Sequence, residues 1–239
     1  MSPYFAEFLG TTVLLLLGDG VVANVVLSKT KGHGAGWIVI TFGWAMAVFV
    51  GVALVGDISG AHLNPAVTVG MAVAGKLPAT DVAGYVIAQM LGAMTGATLV
   101  WAMYRHHFAV TADPDAKLGV FCNAPAIRTM PENILSEVLG TGVLVLAALM
   151  MVAGEKGLGA VNALPIAFVV FAVGLCLGGT TGYAINPARD LGPRIMHFLL
   201  PIPGKRDSDW GYSWIPVIGP VLGGVLAALL FKALSVGKL

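Results

Sequence analysis

Two nearly identical loops constrain this chain more than any other feature of its sequence. The first, from Ser59, reads Ser-Gly-Ala-His-Leu-Asn-Pro-Ala-Val, and the second, from Thr181, reads Thr-Gly-Tyr-Ala-Ile-Asn-Pro-Ala-Arg. Asparagine is a favoured helix N-cap, and proline suits the first helical position because its missing N–H would be unpaired there anyway. Each Asn-Pro-Ala triplet therefore predicts the start of a helix. The two triplets are Asn64, Pro65 and Ala66, and Asn186, Pro187 and Ala188.

The helices predicted after these triplets are short, from Pro65 to Gly75 and from Pro187 to Leu199. Hydrophobic residues make up 57% of the chain and charged residues only 10%, whereas about a quarter of the residues in soluble domains are charged. This composition indicates an integral membrane protein. Because a helix needs about 20 residues to cross a bilayer, the two short helices are predicted to enter the membrane from opposite sides and meet at its middle.

Six further apolar stretches are long enough to span a membrane. They run from Tyr4 to Leu27, Trp37 to Val55, Val82 to Tyr104, Ile134 to Val152, Val161 to Leu177 and Trp214 to Leu234. Polar connections separate them, and the longest is predicted between Arg105 and Pro131. The fold class is therefore all-α and membrane-embedded, with six transmembrane helices and two re-entrant half-helices.

The sequence also repeats. The segment Ala-Glu-Phe-Leu-Gly-Thr from Ala6 returns as Ser-Glu-Val-Leu-Gly-Thr from Ser136. One repeat covers residues 1–112 approximately and the other residues 131–239, within a single domain. Because each repeat has three spans, the second must be inverted in the membrane relative to the first. Inverted repeats place functional sites near the bilayer midplane, where discontinuous helices meet.

The paired Asn-Pro-Ala loops on an inverted three-span repeat resemble the major intrinsic protein family, which comprises the aquaporins and aquaglyceroporins. The resemblance covers nearly the whole chain. It implies a homotetramer in the cell membrane, in which each protomer has its own pore for small neutral solutes. It also implies a cytoplasmic N-terminus, although the distribution of Lys and Arg over the connections favours the opposite orientation.

In this family, four positions at fixed offsets from the two asparagines form the outer selectivity filter. Here they are Trp44, Gly174, Tyr183 and Arg189. Trp and Gly at the first two positions are similar to the glycerol-conducting branch, as are Asp190 and Arg194 after the second triplet. Gly174 is expected to leave room for a carbon backbone. Tyr183 departs from the phenylalanine common in glycerol facilitators and adds a hydroxyl group, so the resemblance leaves open glycerol, water, urea, dihydroxyacetone and undissociated lactic acid as solutes.

The resemblance also gives roles to three further polar residues. Glu7 and Glu137 occupy equivalent places in the repeat and are expected to brace the re-entrant loops by accepting backbone N–H groups, since irregular backbone at membrane depth must be satisfied by protein. His62 is expected to support or line the same region. Asp19 lies well inside the first span, and the sequence leaves two alternatives open for it: a position facing the tetramer axis, or a buried polar partner.

Several other classes of protein fit the sequence less well. A proton-coupled or other secondary transporter would need a relay of intramembrane carboxylates, and Glu7, Asp19 and Glu137 are the residues available for one. The sequence has neither a nucleophile elbow nor a zinc-protease motif, so no enzyme activity is predicted. No metal site or cofactor is predicted either, and a net charge of +1 gives no reason to expect nucleic acid as a partner.

Overall fold

The computed structural model describes residues 1–151 and 159–235, which form α-helices and connecting loops without a β-strand. In chain order the helices are α1 (Pro3–Val26), α2 (Trp37–Ser59), α3 (Pro65–Val73), α4 (Val82–Val110), α5 (Pro114–Phe121), α6 (Met130–Met150), α7 (Leu164–Cys176), α8 (Pro187–Leu199) and α9 (Ile215–Ser235). Short 3₁₀ turns, Ala79–Asp81 and Gly159–Ala163, lead into α4 and α7.

Six of these elements are long and apolar enough to cross a membrane: α1, α2, α4, α6, α7 and α9, with the 3₁₀ turns extending two of them. Their outward faces expose large apolar side chains such as Ile87, Leu135 and Leu226, each more than half exposed. Exposing such surfaces to water would be unfavourable in free energy, whereas in a membrane these side chains contact lipid. The predicted all-α membrane architecture is therefore confirmed.

The predicted helix ends agree with the structure to within a few residues, with one larger difference. The predicted end of the fourth span, Val152, lies outside the described residues. The connection predicted from Arg105 to Pro131 is wrong in part, because α4 continues to Val110 and a further helix, α5, follows. The Asp-Pro-Asp segment in this connection starts α5, since the Asp113 carboxylate accepts the backbone N–H of Asp115 at 2.8 Å.

Glycines bring the long helices into close contact in the same way in both halves. A Cβ placed on Gly92 of α4 would lie 2.4 Å from the carbonyl oxygen of Phe8 in α1. A Cβ on Gly223 of α9 would lie 2.4 Å from the carbonyl oxygen of Val138 in α6. Phe8 and Val138 are equivalent in the sequence repeat. In a membrane, small residues allow this close backbone packing, so the repeat predicted from sequence has a matching repeat in packing.

Each half-helix packs against the long helix of the other half. Helix α3 contacts α9, and α8 contacts α4. A Cβ on Gly224 of α9 would lie 2.6 Å from the carbonyl oxygen of Ala66 in α3, and one on Gly192 of α8 would lie 2.8 Å from Cβ of Ala93 in α4. This exchange brings the two Asn-Pro-Ala triplets together in the interior.

Candidate functional site

Both half-helices start as the sequence predicts, at an asparagine N-cap. The Asn64 side-chain oxygen accepts the backbone N–H of Ala66 at 2.9 Å. The Asn186 side-chain oxygen accepts the backbone N–H groups of Ala188 at 3.0 Å and of Arg189 at 3.2 Å. The side-chain NH₂ groups of both asparagines are therefore free of the capping interaction.

The two asparagines join the halves by reciprocal hydrogen bonds. The Asn64 side-chain nitrogen donates to the backbone carbonyl of Ile185 at 2.8 Å, and the Asn186 nitrogen donates to that of Leu63 at 2.9 Å. Such an exchange is what a twofold relation between the two loops produces. Each amide nitrogen carries a second N–H, and both asparagines line the central cavity.

The loops before the triplets share an unusual backbone. Three positions in each loop have positive φ, and the values match in pairs: Gly60 79° and Gly182 81°, Ala61 47° and Tyr183 42°, Leu63 50° and Ile185 43°. Residues other than glycine rarely adopt this left-handed conformation, and each instance costs about 1–3 kcal/mol. The surrounding structure must therefore hold both loops in place.

Glu7 holds the first loop. It is fully buried, and one carboxylate oxygen accepts the Ser59 hydroxyl at 2.6 Å and the His62 backbone N–H at 2.9 Å. The other oxygen accepts the Leu63 backbone N–H at 2.7 Å and the Gln89 side-chain amide at 2.8 Å. A charged acceptor makes each of these bonds stronger than a neutral one would.

Glu137 holds the second loop in the same manner. One oxygen accepts the Thr181 hydroxyl at 2.6 Å and the Ala184 backbone N–H at 3.0 Å. The other accepts the Ile185 backbone N–H at 2.7 Å. Both glutamates thus contact the groups that their predicted role as loop braces requires.

A cavity of about 730 Å³ lies between the two loops. Apolar side chains from α1, α2, α3, α6 and α7 line much of it, and its polar lining comes mainly from the loops and the starts of the half-helices. The polar and aromatic residues on its wall are Trp44, His62, Asn64, Asn162, Phe168, Tyr183, Asn186 and Arg189. This mixed lining suits a solute that has both carbon and hydroxyl groups.

Three of the four predicted filter residues meet on this wall. The Arg189 guanidinium carbon lies 4.3 Å from the centre of the Trp44 ring, which is a cation–π arrangement. Nη1 of Arg189 and the hydroxyl of Tyr183 are both buried and have no hydrogen-bond partner among the described residues. Buried polar groups are nearly always paired, so these two atoms are exceptions among the residues around the cavity.

The fourth predicted residue, Gly174, is absent from the cavity wall. A Cβ there would lie 2.8 Å from Cζ of Tyr183 and 2.9 Å from Cγ2 of Thr41. The space expected to admit the solute is therefore filled by the Tyr183 ring. That ring also contacts Trp37 edge-on at 5.7 Å between centres, and the Trp37 indole N–H donates to the Gly174 carbonyl at 3.1 Å.

A buried ion pair supports the helix that carries Arg189. Asp190 and Arg194 are fully buried, with Nε of Arg194 donating to Asp190 at 2.8 Å. The second Asp190 oxygen accepts the Asn123 backbone N–H at 2.7 Å, and the guanidinium also donates to the backbone carbonyls of Asn123 and Ser208. Asp190 is thus committed elsewhere, which leaves the Arg189 guanidinium to the cavity.

The remaining two residues considered in the sequence analysis are His62 and Asp19, and the structure gives clear contacts for His62. The imidazole of His62 lies on the cavity wall, 3.2 Å from the Thr68 hydroxyl, and its ring packs against Tyr85. Asp19 is fully buried within the chain, so it does not face a tetramer axis. Neither of its carboxylate oxygens has a hydrogen-bond partner in the described part of the chain, and its charged neighbours there are Arg189 and Asp190.

Some residues of the site were not predicted. Ser59 and Thr181 are the first residues of the two loops, and their hydroxyls bond to the glutamates. The alignment of the two loops could have indicated this shared role. Gln89 is a polar residue within an apolar span, which by itself suggests a function. The sequence around Asn123 did not indicate a role for it, because its contacts with Asp190 and Arg194 join segments far apart in the sequence.

Comparison with known proteins agrees with this geometry. The family model described as "Major intrinsic protein" matches residues 1–231. The chain is 58% identical to a probable glycerol uptake facilitator protein of Thermotoga maritima, over 97% of this chain and 99% of that relative. It is 48% identical to the glycerol uptake facilitator protein of Bacillus subtilis, over 100% of this chain and 87% of that relative.

A solved structure is also similar. The X-ray structure of the aquaglyceroporin from Plasmodium falciparum matches with a TM-score of 0.84 and 29% sequence identity, over 96% of this chain and 94% of that one.

Proposed function

Because the chain belongs to the major intrinsic protein family, we propose that it is a passive channel for glycerol in the cell membrane. It is a multi-pass membrane protein and not an enzyme. Its relatives are named glycerol uptake facilitators, and the similar solved structure is an aquaglyceroporin. The observation that carries the proposal is a cavity wall on which the Arg189 guanidinium lies over the Trp44 indole, close to the two capping asparagines Asn64 and Asn186.

The filter in this proposal consists of Trp44, Tyr183 and Arg189, with Gly174 behind Tyr183. Glycerol has a carbon face that suits the Trp44 ring and hydroxyls that suit the donors of Arg189 and of the two capping asparagines. Water, urea, dihydroxyacetone and undissociated lactic acid can use the same groups and are proposed as further solutes. Channel selectivity of this kind depends on the pore diameter and on hydrogen-bonding groups along the pore.

Ions are excluded by charge and by dehydration in this mechanism. Helix N-termini carry partial positive charge, and the N-termini of α3 and α8 meet where Asn64 and Asn186 bond to the opposite loops. Together with Arg189 they repel cations and protons. The asparagine N–H groups that are not used in the crossing bonds donate to solute oxygens and replace part of the hydration that a neutral solute loses.

The assembly proposed is a homotetramer, as the family implies. Each protomer encloses a cavity of its own, lined by residues of one chain, so conduction does not require a pore between subunits. Chemical cross-linking of the protein in native membranes tests this part of the proposal, and a purely monomeric product would contradict it.

Swelling of proteoliposomes in a panel of isotonic solutes tests the function. We expect rapid, non-saturating entry of glycerol that does not respond to a proton gradient, and no ionic current in planar bilayers at high protein density. The secondary-transporter alternative predicts saturation and dependence on a gradient. Either result, or a sizeable cation conductance, would contradict the passive channel.

A further inference from the structure

A glycine behind the filter lies directly against one of its aromatic walls. Gly18 of α1 is buried, and a Cβ placed on it would lie 2.2 Å from Cζ3 and 2.4 Å from Cε3 and Cη2 of Trp44. Such distances are far below van der Waals contact, so the indole already occupies the space that any side chain at position 18 would need. We propose that Gly18 sets the width of the constriction by allowing the Trp44 ring to lie flat against the α1 backbone.

A side chain added at position 18 would displace the Trp44 ring and not helix α1. Helix α1 is held from another side by the glycines of α4, since a Cβ on Gly96 would lie 2.6 Å from the carbonyl oxygen of Thr12. Side chains in well-packed interiors have little spare room, and overpacking forces them from their positions. A methyl group at position 18 therefore moves the Trp44 ring away from α1.

The direction of that movement affects conduction. Trp44 lines the cavity, and the guanidinium of Arg189 lies over its ring. A ring displaced from α1 moves toward the cavity and Arg189, and the aperture becomes narrower. A narrower constriction obstructs a three-carbon solute before it obstructs single-file water. This inference rests on the proposed function and identifies Gly18 as a positioning residue for solute size.

The second half of the chain has a corresponding arrangement, which supports the assignment. The other aromatic wall, Tyr183, lies against Gly174 and also against Gly178, where a Cβ would be 2.4 Å from Cδ1 of its ring. Each aromatic wall of the filter is thus placed against bare backbone of a membrane helix. The filter's width depends on glycines that do not touch the solute.

Gly18→Ala tests the proposal, with Gly20→Ala as its matched control. Gly20 lies in the same helix, and a Cβ placed on it would have no neighbour within 4 Å. Glycerol and water permeabilities of both variants and the parent are measured by stopped-flow light scattering on matched proteoliposomes. For Gly18→Ala we expect glycerol permeability to fall roughly tenfold and water permeability by less than about twofold. Gly20→Ala should keep the parent's ratio of glycerol to water.

A double variant shows whether the effect passes through Trp44. Adding Trp44→Phe to Gly18→Ala removes the fused ring that the new methyl group would strike. The double variant should regain glycerol permeability relative to Gly18→Ala alone. If Gly18→Ala does not fold, the double variant should fold where the single variant fails, and failure of both would overturn the proposal.

The outcomes separate this inference from the proposed function. A parent protein without glycerol permeability would overturn both. A conducting parent whose Gly18→Ala variant keeps the parent's ratio of glycerol to water would overturn the inference alone. The same conclusion would follow if Gly20→Ala lost as much glycerol permeability as Gly18→Ala, or if Trp44→Phe restored none of the loss.

Discussion

Replacing Glu137 with glutamine should destabilise the second loop and impair conduction with almost no change in side-chain volume. The carboxylate accepts three hydrogen bonds, from the Thr181 hydroxyl and from the backbone N–H groups of Ala184 and Ile185. A glutamine has one acceptor oxygen and one NH₂ group. The hydroxyl of Thr181 can rotate to accept, but a backbone N–H cannot. In either orientation of the amide, at least one of the two backbone N–H groups is therefore left facing a donor.

The size of the effect follows from these contacts. A buried donor left unsatisfied costs about 1–3 kcal/mol, and the remaining bonds lose the strengthening that a charged acceptor gives. We therefore expect a loss of about 2–4 kcal/mol in the stability of the loop. Tyr183 and Ile185 have positive φ, each at a cost of about 1–3 kcal/mol, so a loss of this size is enough for the loop to relax. Because the loop carries Tyr183 and Asn186, relaxation disturbs the filter and the crossing bond together.

Two measurements check this reasoning. The midpoint of thermal aggregation in detergent should fall, and the glycerol permeability of proteoliposomes should fall with it. Glu132→Gln is the matched control, because Glu132 lies in the first turn of the same helix and is exposed. It should leave both quantities unchanged. A Glu137→Gln variant with the parent's aggregation midpoint and glycerol permeability would refute the role of Glu137 as a brace.

Three further changes probe the filter itself. Gly174→His should lower glycerol permeability at least roughly tenfold but retain appreciable water permeability, because the imidazole must displace Tyr183 toward the cavity. A stopped-flow glycerol rate equal to the parent's would contradict this prediction. Tyr183→Phe should leave thermal stability unchanged, because the hydroxyl has no partner among the described residues. The same change should leave glycerol permeability close to the parent's in the same stopped-flow assay, because the hydroxyl is buried beside Gly174 and is not exposed to the cavity; a clear loss would contradict this. Uptake of lactic acid should follow its undissociated form and fall as the pH rises through the acid's pKa; uptake proportional to the anion would be evidence against this.

The half-helices were the most predictable part of the molecule. The predicted range Pro187 to Leu199 agrees with α8, and α3 begins at Pro65 as expected but ends at Val73. These starts are local events, since the capping asparagine bonds to N–H groups two or three residues away. Contacts of this kind can be predicted from the identities of neighbouring residues. The repeat between Glu7 and Glu137 was equally visible, because both occur in matching segments.

The part that could not be predicted depends on contacts between distant segments. From sequence, Gly174 is expected to leave open space, whereas in the structure Tyr183 fills that space. Ala61 and Tyr183 adopt a left-handed backbone that no local preference of alanine or tyrosine would suggest. The glutamate braces, which come from other helices, hold the backbone next to these residues. A sequence pattern cannot give such contacts until the fold has brought the segments together.

The same contacts explain why the pore requires both halves of the chain. Each loop is braced by a glutamate of its own half, but its asparagine donates across the twofold relation to a carbonyl of the other loop. Each half-helix likewise packs on a long helix of the opposite half. A single half would therefore leave Asn64 or Asn186 without its acceptor and one half-helix without its support. The strained loops can be retained because the fold fixes them from both directions, and this fixed geometry holds the Arg189 guanidinium over the Trp44 ring on the cavity wall.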